Sequence, residues 1–221
     1  MGELIFKSNL SQDWISFALI SNIVLTYLLI KLNPVRTSRL LNFLKTDFYL
    51  SKYNSERETQ YLNPYNIIGG LIIINTVCLS LIFFSEKIIY EKTYFFEFCF
   101  LILIVIIFHI TRQFFTSLIT RKSEIWKKIK PLLFKNFTLN LQFACVCFVV
   151  IFTGFYSKIP SFLLHPIVVI ISTSWFFSQS RIFYSLFKFH PKEVIYFILY
   201  LCTFKIIPWC CFYLYILKPR F

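Results

Sequence analysis

The chain has 221 residues, of which 57% are hydrophobic and only 15% are charged. Soluble domains are typically roughly 45–50% apolar and about a quarter charged, so this composition excludes an ordinary soluble fold. The net charge of +13 suits nucleic acid, but the basic residues flank apolar runs, where membrane topology places them. We therefore expect no nucleic-acid partner.

Apolar runs of roughly 20 residues, the length of helix that crosses a bilayer, lie between the charged clusters. They predict an all-α fold, a polytopic transmembrane helix bundle of about six membrane-spanning helices that forms one domain over residues 1–221. The predicted helices cover about 14–32, 66–84, 95–119, 137–156, 162–184 and 194–217.

The first run predicts a retained helix, because no basic segment precedes it and no small-residue cleavage site follows it. Asn33-Pro34 ends this helix, since proline cannot continue the hydrogen-bond ladder. Short connections at 85–94 and 157–160 predict that helices two and three, and helices four and five, are antiparallel neighbours.

Two connecting stretches, 36–52 and 124–135, show amphipathic helical spacing. In the first, Leu40, Leu41, Leu44 and Phe48 share one face. Such segments lie in the headgroup layer and attract anionic lipid, although a surface that docks a partner protein has the same pattern. The predicted membrane-surface basic patch comprises Arg36, Arg39, Lys45, Arg121, Lys122, Lys127, Lys128 and Lys130.

The distribution of Lys and Arg predicts the orientation of the bundle. Fifteen of them lie in or beside the connections between helices one and two, three and four, and five and six, against six on the opposite side. The basic side is expected to be cytoplasmic, which puts both termini outside the cytoplasm.

Lys205 lies halfway along predicted helix six, where an ammonium group costs about 2.5–3.5 kcal/mol on insertion scales. No Asp or Glu lies deep in any predicted helix. Three interpretations stay open for this lysine. It is neutral through desolvation, it bonds carbonyls that Pro208 leaves unpaired, or it pairs with a carboxylate of another membrane subunit.

His109, Arg112 and Gln113 share one face of predicted helix three, because their spacings are three and four residues. A polar stripe that faces the bundle and a site on a transport pathway both fit this pattern. His165 lies near the outer end of helix five. The two histidines differ in depth by roughly 15 Å at helical rise, so they do not predict a bis-histidine haem.

Catalytic and cofactor motifs do not occur in the sequence. It has no Ser–His–Asp, HExxH, paired-carboxylate or glycine-rich phosphate pattern, and its cysteines, all within apolar runs, lack CxxC spacing. No enzyme activity, cofactor or metal site is therefore predicted. Polar residues within the helices are expected to form hydrogen bonds between helices; they are Asn75, Asn140, Gln142, Ser172, Thr173, Ser174 and Ser178.

Three segments carry a family pattern. Predicted helix six contains Tyr200-Leu201-Cys202-Thr203 followed by Ile206-Ile207-Pro208. Predicted helix two opens with Asn63-Pro64-Tyr65, and a basic stretch before helix six follows Arg181-Ile182-Phe183. These segments resemble the family called domain of unknown function 4271 (DUF4271). The resemblance covers nearly the whole chain and implies the inner membrane of a Bacteroidota bacterium, with no established activity. In that family the position of Lys205 usually looks acidic, so the reversed charge here argues against a role that needs a carboxylate.

Two functions fit these features. One is a non-enzymatic subunit or assembly factor of a cell-envelope complex, such as secretion or gliding machinery. The other is a small transporter or channel with a polar site on helices three, five and six, which would need a water-filled cavity between them.

Overall fold

The computed structural model describes residues 13–42, 49, 52–53, 63–84, 95–120, 126–157, 166–167, 169–171 and 173–181. The helices in chain order are α1 (Asp13–Leu32), α2 (Pro34–Leu41), α3 (Pro64–Phe84), α4 (Phe95–Thr120) and α5 (Trp126–Tyr156). Residues 173–181 are also helical. The described residues include no strand, which confirms the predicted all-α fold.

Three helical segments are long and apolar enough to cross a membrane, which supports the assignment to the membrane class. They are Trp14–Leu32, Pro64–Phe83 and Pro131–Tyr156, while α4 contributes the shorter apolar stretch Phe98–Thr111. Three is fewer than the six spans predicted. Predicted helix six, 194–217, lies outside the described residues, and predicted helix five is described only in part.

Two asparagine–proline pairs start helices at the same end of the bundle. Asn33 Oδ1 accepts a hydrogen bond of 3.0 Å from the backbone N–H of Arg36, and Pro34 takes the first position of α2. Asn63 Oδ1 accepts one of 3.1 Å from the backbone N–H of Tyr65, after Pro64. At a helix start the asparagine side chain accepts a hydrogen bond from a backbone N–H that has no partner within the helix, and proline has no backbone N–H to leave unpaired. Both pairs therefore favour a helix start.

Helix α3 is central, because it packs against α1, α4 and α5. At one end of the bundle the rings of Trp14 and Phe98 lie 5.0 Å apart, and those of Phe83 and Phe155 lie 5.2 Å apart. We call this the tryptophan end. The opposite end, where α1 stops at Leu32 and α3 begins, is the arginine end, and α2 contacts both α1 and α5 there.

Helices α3 and α5 approach closely at Gly69. A Cβ atom added there would lie 3.0 Å from Cδ2 of Leu141 and 3.1 Å from Cζ of Phe137. At the neighbouring Gly70 nothing lies within 4 Å of the same atom. Small residues let helix backbones approach in membranes, and Gly69 has this role.

The start of α5 differs from the prediction. A separate amphipathic stretch at 124–135 and a span from about 137 were expected, but one helix of 31 residues runs from Trp126 through Pro131 to Tyr156. Phe134, on the N-terminal side of the expected boundary, and Leu141 belong to one buried cluster. Packing on both sides of the boundary holds one continuous helix, which offsets the hydrogen bond that Pro131 cannot donate.

The buried face of α2 also differs from the prediction. Leu40 and Leu41 were expected on one apolar face with Arg36 in the membrane-surface basic patch, whereas Arg36, Thr37 and Leu40 are buried and Leu41 is exposed. Positions i and i+4 share a helix face, so Leu40 and Arg36 turn inward together. The prediction of a surface Arg36 is therefore wrong.

Candidate functional site

Arg36 is the centre of a buried polar cluster at the arginine end. Its side chain is 1% exposed, and its Nε donates a hydrogen bond of 3.1 Å to Tyr49 Oη. Nη2 donates one of 3.1 Å to Asn66 Oδ1 on α3. A buried charge is tolerated when its hydrogen-bonding groups are satisfied, and these bonds join α2 to α3 and to residue 49.

Aromatic rings surround the same guanidinium. Its central carbon lies 4.0 Å from the ring centroid of Tyr65, 5.2 Å from that of Tyr53 and 5.9 Å from that of Phe134. The electron-rich face of an aromatic ring attracts a cation within about 6 Å, and more strongly when water is excluded. The rings therefore form favourable cation–π contacts with the buried guanidinium.

Thr37 extends the cluster back to α1. Its Oγ donates toward the backbone carbonyls of Leu29 and Asn33, at 3.1 and 3.0 Å, and lies 3.2 Å from Tyr65 Oη. Both carbonyls also accept backbone hydrogen bonds, that of Leu29 from the N–H of Asn33 at 3.3 Å and that of Asn33 from the N–H of Thr37 at 3.0 Å, so the hydroxyl is a further donor at each. The turn between α1 and α2 is thereby held against the start of α3.

A cavity of about 160 Å³ opens between the two asparagine–proline turns. The residues that line it are Leu32, Asn33, Arg36, Asn63, Pro64 and Tyr65. It lies where two spans end, so its mouth is at the level expected for lipid headgroups.

A second cavity, of about 260 Å³, lies along α1, α3 and α4 and is lined mainly by apolar side chains. Its polar wall is the pair Asn75 and Ser21. Asn75 Nδ2 donates a hydrogen bond of 2.9 Å to Ser21 Oγ and one of 3.0 Å to the Ala18 carbonyl. These polar groups bond each other across the α1–α3 contact, and the surrounding wall suits a hydrocarbon chain.

Further polar contacts join helices elsewhere. Gln142 Nε2 on α5 donates a bond of 2.6 Å to the Leu40 carbonyl, which lies in the last turn of α2. Asn140 Oδ1 accepts bonds of 3.0 Å from both Trp175 Nε1 and Gln179 Nε2. The interhelical bonds predicted for Asn75, Asn140 and Gln142 are confirmed.

Thr173 and Ser178 differ from that prediction, because their hydroxyls donate to carbonyls of their own helical turns. Serine and threonine hydroxyls in helices commonly bond the carbonyl of the previous turn, so they need no partner helix. Ser172 lies outside the described residues.

A family model described as domain of unknown function, DUF4271, matches residues 15–216. The chain belongs to the DUF4271 family. Neither the curated proteins nor the solved structures include a match to it. The resemblance drawn from the motifs of helices two and six is confirmed at the level of the family.

The polar site predicted for this DUF4271 chain within the membrane is described only in part. His109 is partly buried on α4, and the backbones of Arg112 and Gln113 continue that helix. Their side chains, and the residues Lys205 and His165, lie outside the described parts of the chain.

The basic patch is likewise only partly described. Arg39 is partly buried on α2, in contrast to the fully buried Arg36. The structure describes the backbone but not the side chains of three lysines at the start of α5, Lys127, Lys128 and Lys130. Three further residues of the patch, Lys45, Arg121 and Lys122, lie wholly outside the described residues.

Sequence reasoning missed the partners of Arg36, which are Tyr49, Tyr53, Tyr65 and Asn66. One available signal was the repeated asparagine–proline pair, at 33–34 and 63–64, which marks two helix starts at one membrane level. If both pairs are placed at one membrane surface, Arg36 and Asn66 each lie three residues after an asparagine of a pair. That placement would have predicted that Arg36 and Asn66 lie close together.

Proposed function

We propose that this DUF4271 chain is a multi-pass protein of the bacterial inner membrane that acts as a non-enzymatic subunit or assembly factor of a cell-envelope complex. The proposal includes six spans, basic connections in the cytoplasm and both termini outside it. In its most specific form, the proposal assigns the chain to a Bacteroidota bacterium and to a secretion or gliding-type machinery.

The main support is that polar groups in the described bundle bond one another. Arg36 bonds Tyr49 and Asn66, Asn75 bonds Ser21, and Gln142 bonds the α2 carbonyl of Leu40. A transport path needs polar groups that face water and exchange partners. Groups that hold helices together are expected of a packed structural subunit.

Large apolar side chains cover the outward faces of two helices. On α1 they are Phe17, Ile20, Ile23, Val24 and Tyr27, and on α4 they are Phe96, Phe100, Leu103, Ile107 and Ile110. Both faces suit either lipid tails or apolar helices of a neighbouring subunit. They supply the area that a subunit within a membrane complex needs.

The expected partner carries a carboxylate within the membrane. No Asp or Glu lies deep in any predicted helix of this chain, so the ammonium of Lys205 has no expected acidic partner in its own sequence. A charge in hydrocarbon is costly and usually pairs with an opposite charge. A carboxylate from a second subunit would satisfy the lysine on assembly.

Purification in mild detergent, followed by mass spectrometry, tests the proposal. We expect a stoichiometric membrane partner with an intramembrane Asp or Glu, and we expect Lys205→Gln to release it. Lys218→Gln removes the same charge near the end of predicted helix six and is the matched control, which should retain the partner. A chain that runs alone and monodisperse, or equal loss with both variants, would contradict the proposal.

The transporter alternative needs water between predicted helices three, five and six. Predicted helix six and part of predicted helix five lie outside the described residues, and the two cavities described above lie along α1, α3 and α4 and at the turns that precede α2 and α3.

A further inference from the structure

The cavity at the arginine end combines a positive charge with a position at the ends of two candidate membrane spans. Arg36 forms part of its wall, and none of its described lining residues is acidic. Its volume of about 160 Å³ is many times the ~10–15 Å³ that one water molecule needs. A group of several non-hydrogen atoms therefore fits between the two turns.

The amide of Asn33 is oriented so that its donor group remains available. The Oδ1 atoms of Asn33 and Asn63 accept hydrogen bonds from the backbone N–H groups of Arg36 and Tyr65. The amide oxygen of Asn33 is thus occupied, and its NH₂ group is the part of that amide left to bind a ligand at the cavity wall. An NH₂ group donates and never accepts, so this wall favours an oxyanion.

Charge acts in the same direction as the donors. Arg36 lines the cavity and is buried in a water-poor cluster, where charge interactions are stronger than in bulk water. Helices α2 and α3 also begin at this cavity, and the start of a helix carries a partial positive charge. An anion at the mouth would meet a positive potential from three sources.

We propose that this cavity binds the phosphate group of an anionic phospholipid headgroup. Its walls include Leu32 and Pro64, which are the last and first residues of two membrane-spanning segments. A phosphodiester at the hydrocarbon boundary lies at this level. The site is independent of the subunit proposed above, and binding there would hold the turn between α1 and α2 at the membrane surface.

Titration of the purified chain in neutral detergent with short-chain phosphatidylglycerol tests this site, with binding followed by native mass spectrometry. Phosphatidylcholine and inorganic phosphate are the comparison ligands. We expect phosphatidylglycerol to bind at least about tenfold more tightly than either, because phosphatidylcholine carries no net charge and inorganic phosphate lacks the acyl chains that would lie along the adjacent apolar spans.

Asn33→Asp is the decisive variant, because Asp caps a helix as well as Asn but places a negative charge in the cavity. It should weaken phosphatidylglycerol binding by about tenfold or more, whereas the neutral capping variant Asn33→Ser should weaken it less. Lys31→Gln removes an exposed positive charge at the same end and should change the affinity less than about twofold. Arg36→Gln should abolish binding, and Asn33→Asp decides the test if that variant does not fold.

Each contrary result has a defined meaning. Equal affinity for phosphatidylglycerol and phosphatidylcholine, or equal weakening by Lys31→Gln and Asn33→Asp, would mean a general surface attraction and would overturn the proposal. Binding of inorganic phosphate as tight as that of phosphatidylglycerol would assign the cavity to free phosphate and overturn the lipid assignment.

Discussion

At the tryptophan end, Ile15 and Leu19 of α1 and Leu79 of α3 belong to one apolar cluster, and each is at most 3% exposed. At the arginine end the burial is equally complete, but its centre is a charge. Arg36 is 1% exposed and bonds Asn66 of α3. One bundle thus has two buried ends with opposite chemistry.

The difference teaches which end specifies the arrangement of the helices. In a membrane, an apolar side chain that moves from lipid into the protein gains only van der Waals packing energy. Many arrangements of apolar contacts with similar shape therefore have nearly equal free energy. A guanidinium is stable only where its donors meet acceptors, so few arrangements satisfy it. The arginine end should therefore set how α2 docks, and the tryptophan end should supply packing around it.

The largest expected effect is the loss of the charge at the arginine end. Arg36→Met keeps much of the side-chain length but leaves Tyr49 Oη and Asn66 Oδ1 without these donors. We expect the free energy of unfolding in mixed micelles to fall by about 3 kcal/mol. Lys31→Met, an exposed residue of the same end, should change it by less than about 0.5 kcal/mol. Equal effects of the two substitutions would show that the buried charge does not specify this end.

The matching substitution at the tryptophan end is Leu79→Ala, at a side chain that is 1% exposed. A lost core leucine costs about 2–5 kcal/mol in soluble proteins, and the lower limit, about 2 kcal/mol, is expected where lipid replaces water as the solvent. Ile20→Ala, on the outward face of α1, should cost less than about 0.5 kcal/mol. Unfolding in the same micelles measures both. A larger loss for Leu79→Ala than for Arg36→Met would reverse the ranking of the two ends.

Gly69 and Gly70, in the second turn of α3 near the arginine end, give a matched pair. Gly69→Ala places a methyl group 3.0 Å from Cδ2 of the fully buried Leu141, which has little room to move. Alanine favours a helix by up to about 1 kcal/mol over glycine, and overpacking costs about 1–3 kcal/mol, so we expect a net loss of about 1 kcal/mol. Gly70→Ala meets nothing within 4 Å and should be neutral or stabilising. Equal thermal midpoints for the two variants would mean that α3 and α5 do not approach closely at Gly69.

The sequence was most informative where one local signal decides an element. The first helix was predicted at 14–32 and observed at Asp13–Leu32, because an apolar run stops at an asparagine–proline pair. The boundary before α5 was less predictable. Pro131 and the nearby lysines favour a break there, but packing around Phe134 overrides that local preference.

The candidate site was hidden from the sequence for a physical reason. Arg36 binds Tyr49, 13 residues away, and Asn66, 30 residues away, and no local periodicity reports such contacts. A charged residue beside an apolar span usually snorkels to the surface, so the surface prediction followed the common behaviour. The cluster of aromatic rings that makes burial favourable is a tertiary feature.

The smallest effect is expected for the polar pair between the two ends, Asn75 and Ser21. Asn75→Ala removes the donor to Ser21 Oγ and to the Ala18 carbonyl, but in membranes such a bond contributes only about 0.6 kcal/mol on average. A double-mutant cycle with Ser21→Ala, by unfolding in mixed micelles, should give a coupling energy of about that size. A coupling energy well above about 2 kcal/mol would mean that the polar contact in the middle of the α1–α3 interface, and not the arginine end, specifies the arrangement of the helices. A value near 0.6 kcal/mol would leave Arg36 as the dominant polar contact, since one guanidinium bonds both Tyr49 and Asn66.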